Sequence, residues 1–160
     1  MPSIRLKRKP PNRDMHAELN SLGRQVRDSL LERHPEWAEY VEALPGGDLE
    51  LAIPAPHRSR AGHLVIFTRQ GQDIWIRYTP PRMCYSVESD AEMHAVVKAL
   101  LADDAFFVVV TTGDDWIETT LLRSGQEPIL AEGQVANMVS WSGRHDKILT
   151  WVARRPAKGD

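Results

Sequence analysis

The apolar period of the chain changes near residue 48, and that change restricts the fold more than any other feature. Before it, Met15, Leu19, Leu22, Val26 and Leu30 recur at steps of three and four. Such steps put them on one stripe of a helix. After it, apolar residues alternate through "LELAIP" (49–54), "HLVIFTR" (63–69) and "DIWIRYT" (73–79), the period of half-buried strands. The helical period returns in "ESDAEMHAVVKALLADD" (88–104), and strands then resume. Runs of strands broken by one helix predict an α+β fold: a mainly antiparallel sheet of about six to eight strands, with N-terminal helices and one central helix packed on it. The strict strand–helix alternation of a doubly wound parallel sheet is absent.

Local signals set the expected boundaries. Asp14 can cap the first helix, and Pro35 should end it near Arg33. A second short helix is expected over 36–43, with Trp37, Tyr40 and Val41 on one face, stopped by "PGGD" at 45–48. The strands 63–69 and 73–79 should form a hairpin around "QGQ". In the second of them Ile74, Ile76 and Tyr78 point one way, and Trp75 and Arg77 the other. Pro80 and Pro81 end that strand, and "MCYSV" (83–87) is a short one. Ser89 and Glu92 have the spacing of a capping box ahead of a buried stripe of Met93, Val96, Val97, Leu100 and Leu101. "AFFVVVTT" (105–112) is apolar enough for a central strand. "WIETTLLR" (116–123) should pair with it, and "VANMVSWS" (135–142) with "KILTWVA" (147–153).

With 160 residues, 42% of them apolar and 26% charged, one domain is expected over 14–153. A flexible basic arm (1–13) and a basic tail (154–160) flank it. No apolar run reaches the roughly 20 residues of a membrane span. The basic start is not followed by an apolar stretch, and the lone cysteine, Cys84, excludes an internal disulfide. Both features lead to the expectation of a cytoplasmic protein. The net charge of −2 hides an imbalance: residues 14–152 hold 12 basic and 21 acidic side chains, a net −9. Such a body is a poor ligand for nucleic-acid phosphates and a suitable partner for a basic protein.

Signatures of chemistry are few. Neither G-x-G-x-x-G nor G-x-x-x-x-G-K-[ST] occurs, the histidines lack the H-E-x-x-H spacing, and one cysteine cannot build a zinc cluster. No cofactor or metal is therefore expected. Cys84, with Arg82 to favour its thiolate and His94 on the following helix, is a candidate for an enzyme of unrecognised type. A cysteine between apolar neighbours is more simply a small buried hydrophobe. "SWSGRHD" holds the residue types of a triad but reads as a hairpin turn. Asp103–Asp104 and Asp114–Asp115 stand at opposite ends of the 105–112 strand, too far apart for one acid–base pair. The basic arm supports a third role, in nucleic-acid association. The preferred candidate lies in "GDDWIET", where Asp114, Asp115 and Glu118 surround Trp116. A tryptophan with a charged rim suits a protein-binding site.

The segments "DIWIRYTPPRMCYSVESDAEM", "LLADDAFFVVVTTGDDWIETTLLRSGQEP" and "VSWSGRHDK" together resemble small α+β immunity proteins encoded beside bacterial polymorphic toxins. The resemblance implies a cytoplasmic, acidic, non-catalytic protein that binds and neutralises a cognate toxin. It supplies no site residues. Homo-oligomerisation is compatible with it.

Overall fold

The computed structural model describes residues 18–57 and 59–152. The basic arm, the Asp14 cap, Met15 and the 154–160 tail lie outside them. Among the described residues the fold is α+β with two antiparallel sheets. The elements run α1 (Ser21–Arg33), a 3₁₀ helix (Pro35–Tyr40), β1 (Val41–Ala43), β2 (Leu49–Pro54), β3 (His63–Arg69), β4 (Asp73–Tyr78) and β5 (Cys84–Val87). Then follow α2 (Asp90–Leu101), β6 (Ala105–Thr112), β7 (Asp115–Arg123), β8 (Gln134–Val139) and β9 (Lys147–Thr150). The first sheet is a meander, β1-β2-β3-β4-β5, and the second has the order β7-β6-β8-β9.

The strand count therefore exceeds the six to eight expected, and the strands form two sheets rather than one. After β5 the chain passes through α2 and returns as β6, which pairs with β7 and β8 instead of β5. The period of two reveals a strand and its faces, not its lateral neighbours. Residues 41–43 also depart from expectation: they form a strand, not the end of a helix, because Val41, Glu42 and Ala43 pair with Leu51, Glu50 and Leu49.

Helix α1 starts at Ser21. Asn20 is held by its own amide donating to the Gly47 carbonyl (2.7 Å), and its Oδ1 accepts from the Gly23 amide (2.8 Å). This is an N-cap fixed by a distant turn. At α2 the cap falls where the sequence puts it: Ser89 Oγ accepts from the Glu92 amide (3.1 Å). Glu92 reaches back to the Glu88 amide (2.7 Å), one residue before the expected partner.

The main core lies between the helices and the two sheets. It takes Val26 and Leu30 from α1, Met93, Val97 and Leu100 from α2, Leu51, Ile66 and Ile76 from the first sheet, and Phe107, Val109 and Val139 from the second. Tyr78 joins the sheets, its ring edge-on to Phe107 (4.9 Å between centroids). A smaller cluster of Phe106, Val108, Val110, Ala136 and Met138 lies on the other face of the second sheet. Strand β6 is thus buried on both faces, which explains its unbroken apolar run. Of the expected α2 stripe, Met93, Val97 and Leu100 are buried. Val96 and Leu101 are half-buried, and His94, beside the stripe in sequence, is buried.

The last two strands are shorter than expected. The Ser140 amide leaves the ladder to donate to Asp146 Oδ1 (2.7 Å). Asp146 then fixes the turn that "SWSGRHD" predicts.

Candidate functional site

The tip of the β6–β7 hairpin, residues 112–118, is exposed. Gly113, at φ 57°, lets the chain reverse, and Thr112 pairs with Asp115. The register then slips: Trp116 faces Thr111, but Glu118 faces Val110, leaving Ile117 unpaired in a β-bulge. A bulge re-aims the side chains around it. Trp116 shares the face of Phe107, Val109 and Thr119, whereas Asp115 and Glu118 share the face of Val108 and Val110. The expected ring of carboxylates around Trp116 is therefore split across the hairpin, with Asp114 at its turn.

The bulge delivers Trp116 to the corner built by "TPPRM". Arg82, at φ 66°, lays its guanidinium over the indole, 5.2 Å from the ring centroid. The indole N–H donates to Thr119 Oγ1 (3.1 Å), and that hydroxyl donates to the Arg82 carbonyl (2.7 Å). Arg82 from the β4–β5 corner and Thr119 from β7 thus hold one aromatic ring. It still exposes 47% of its surface, and neighbouring Ile117 exposes 46%. Asp114, Asp115 and Glu118 are all exposed. The result is a held aromatic anchor beside an apolar side chain and three solvated carboxylates. Thr119 was not singled out in the sequence; regular alternation would have placed it opposite Trp116, and a bulge leaves no residue-type signature here.

The structure separates Cys84 from His94. Cys84 pairs with Arg77 and shares its face of the first sheet. That is the face opposite Ile76 and Tyr78, and so opposite the helices. His94 lies on α2, on the core side. Burial pushes the Cys84 thiol up, and Arg77, the Tyr85 amide and Arg69 offset that only in part. The guanidinium that favours the thiolate is that of Arg77, its cross-strand partner, whereas Arg82 lies over Trp116.

His94 has other partners. Its Nε2 lies 2.7 Å from Ser29 Oγ and 3.5 Å from Asp90 Oδ2, and the Ser29 hydroxyl donates to Asp90 Oδ2 (2.8 Å). The cluster bridges α1 and α2. Neither Ser29 nor Asp90 was legible as its member, because the two lie 61 residues apart.

The remaining candidates resolve into structural roles. Ser140 is fully buried, and its hydroxyl accepts from the His145 amide (3.0 Å) while the His145 ring packs near Phe106 (5.8 Å). Asp103 Oδ1 accepts from the Ser142 amide (3.0 Å). Among the described residues no three His, Cys, Asp or Glu side chains cluster as metal ligands would. Of the other tryptophans, Trp37 is buried, Trp75 and Trp141 are half-buried, and Trp151 is exposed.

No protein-family model, curated protein or solved structure matches this chain.

Proposed function

We propose that the chain is a non-catalytic binding protein of the immunity type, which neutralises a cognate toxin in the cytoplasm by occupying its surface. The observation that carries this reading is Trp116, half-exposed yet held by Arg82 and Thr119. An exposed indole left free to rotate would lose entropy on docking. One already locked loses little, and preorganised aromatic anchors dominate binding energy. Asp114, Asp115 and Glu118 supply a negative flank that speeds encounter with a basic partner. The excess of acidic residues in the body adds to that field. If the toxin is a nuclease, these carboxylates stand in for substrate phosphates.

The test compares the wild-type chain with Trp116→Ala in affinity capture from the source lysate. Wild type should retain a stoichiometric protein that arrests growth when produced alone and is tolerated when produced with this chain. Trp116→Ala should bind it about 30-fold or more weakly, the size expected of an anchor truncation, with an unchanged far-ultraviolet spectrum. Reversing the charge of Asp114, Asp115 and Glu118 together should slow association and flatten its salt dependence. Equal capture by wild type and Trp116→Ala would remove the hairpin from the model, and a partner with no toxicity would remove the immunity role.

A further inference from the structure

A second feature, remote from the hairpin in composition and fold, is a cleft between α1 and α2. It has a volume of about 390 Å³ and is lined by Arg33, His34, His94, Lys98, Leu101 and Ala102. That is within the size range of small-molecule sites. No carboxylate lines it. Arg33 and Lys98 make no ion pair among the described residues. In a body with 21 acidic and 12 basic side chains, two unpaired cations sharing one opening run against composition.

Helix geometry explains how they meet. Ser29 and Arg33 are one turn apart on α1. Asp90, His94 and Lys98 occupy successive turns of α2. Ser29 bonds to both Asp90 and His94, and Arg33 and His34 border the same cleft as Lys98 and Leu101, so the C-terminal ends of the two helices lie close together. The macrodipole favours a cation at each end separately. It does not account for both cations, two imidazoles and an apolar floor of Leu101 and Ala102 bordering one cavity.

The His94 wall of the cleft is held by Ser29. His94 is 6% exposed. The single Ser29 proton goes to Asp90, so Ser29 Oγ accepts from His94 Nε2–H. The carboxylates beside the two imidazoles are Asp90, whose Oδ1 is buried without a partner among the described residues, and Glu36, 3.4 Å from His34 Nδ1.

We propose that this cleft binds a small molecule through an oxyanion group, a carboxylate or a phosphate, held between Arg33 and Lys98 with the His94 imidazole in the wall. The proposal does not depend on the toxin-binding role. Protonation supports it. Burial and then the Arg33 charge hold His94 below the ordinary imidazole range, His34 adds to this, and Asp90 and Glu32 oppose it. A bound oxyanion offsets Arg33 and His34, so it favours the imidazolium, and binding tightens as pH falls toward the lowered His94 range.

The test is a proton NMR titration of the full chain with inorganic phosphate, and separately with acetate, at constant ionic strength. The His94 ring resonances should move and saturate with at least one anion. Saturation with phosphate alone assigns a phosphate ligand, and with acetate alone a carboxylate. Arg33 and Lys98 are exposed, so Arg33→Gln and Lys98→Gln should leave the fold intact and each weaken binding about tenfold, one lost charge-assisted contact of roughly 1.4 kcal/mol. Arg33→Lys should recover part of the loss. Linear, unsaturated shifts with both anions, or equal affinity in the Arg33→Gln/Lys98→Gln double variant, would overturn the proposal.

Discussion

Asp48 shows how much one side chain can organise. Its Oδ1 accepts from Asn20 Nδ2 (3.0 Å), Thr68 Oγ1 (3.1 Å) and the Gly71 amide (2.9 Å), and its Oδ2 from the Gln70 amide (2.8 Å). One carboxylate thus ties the α1 cap, β3 and the β3–β4 turn together. Burial works against its charge, but these four donors outweigh it and hold the carboxyl below the usual carboxylate range. A depressed folded pKa contributes stability that is present above the unfolded value of about 3.9. That stability is lost as pH falls through the folded value. Asp48→Ala should cost roughly 2 kcal/mol at pH 7, since it removes the shared acceptor of the buried Thr68 hydroxyl, the Asn20 side chain and two turn amides. Urea unfolding from pH 7 to pH 2 checks both points: wild type should lose its advantage over the variant below about pH 4. A constant difference across that range would mean that the charge of Asp48 is not what matters.

Elements in this protein are positioned by joints that hydropathy does not reveal. The turn after β1 is more than a helix stop. A Cβ on Gly47, which sits at φ +84°, would lie 2.7 Å from the Glu18 carbonyl oxygen and 2.8 Å from the Asn20 amide nitrogen. Those backbone atoms are the approach to α1 and cannot swing aside. Gly46 has nearly the same φ, +88°, and open space around it. Gly46→Ala therefore meets only the left-handed backbone penalty, about 1–2 kcal/mol, while Gly47→Ala meets that penalty and the collision. Thermal unfolding of the two variants should place Gly47→Ala below Gly46→Ala by several degrees, as roughly 1 kcal/mol or more of extra loss implies. Equal melting temperatures would show that the α1 entry yields without cost.

At the scale of the molecule, the two sheets are fastened at separate places. Arg82, Thr119 and Trp116 join the β4–β5 corner to the hairpin. Elsewhere Ser59 Oγ donates to the Ser140 carbonyl (2.9 Å) and Arg60 Nη2 to the Met138 carbonyl (3.0 Å). Between them Phe107, fully buried against Tyr78, belongs to a core drawn from both sheets and both helices. Unfolding should accordingly be one cooperative transition, and Phe107→Ala should lower its stability by about 3–5 kcal/mol. Calorimetry with two separable peaks, only one of them moved by the substitution, would show that the sheets unfold independently. The sequence by itself determined most strands, the α2 cap and the inward set Ile74, Ile76 and Tyr78, because period, turn chemistry and capping are local and act through a few neighbouring residues. It also marked Trp116 and its acidic neighbours as the segment to watch. Only the tertiary structure decided that the strands divide into two sheets. It also decided that 41–43 is a strand, that a bulge turns Trp116 toward Arg82, and that Cys84 and His94 lie on opposite sides of a sheet. Each of these depends on lateral pairing or packing, within a hairpin for 41–43 and the bulge and between distant segments for the rest, that side-chain period does not report. Hydrogen bonds across such distances, like those of Asn20 with Gly47 and Ser29 with Asp90, leave no periodic trace in the order of side chains.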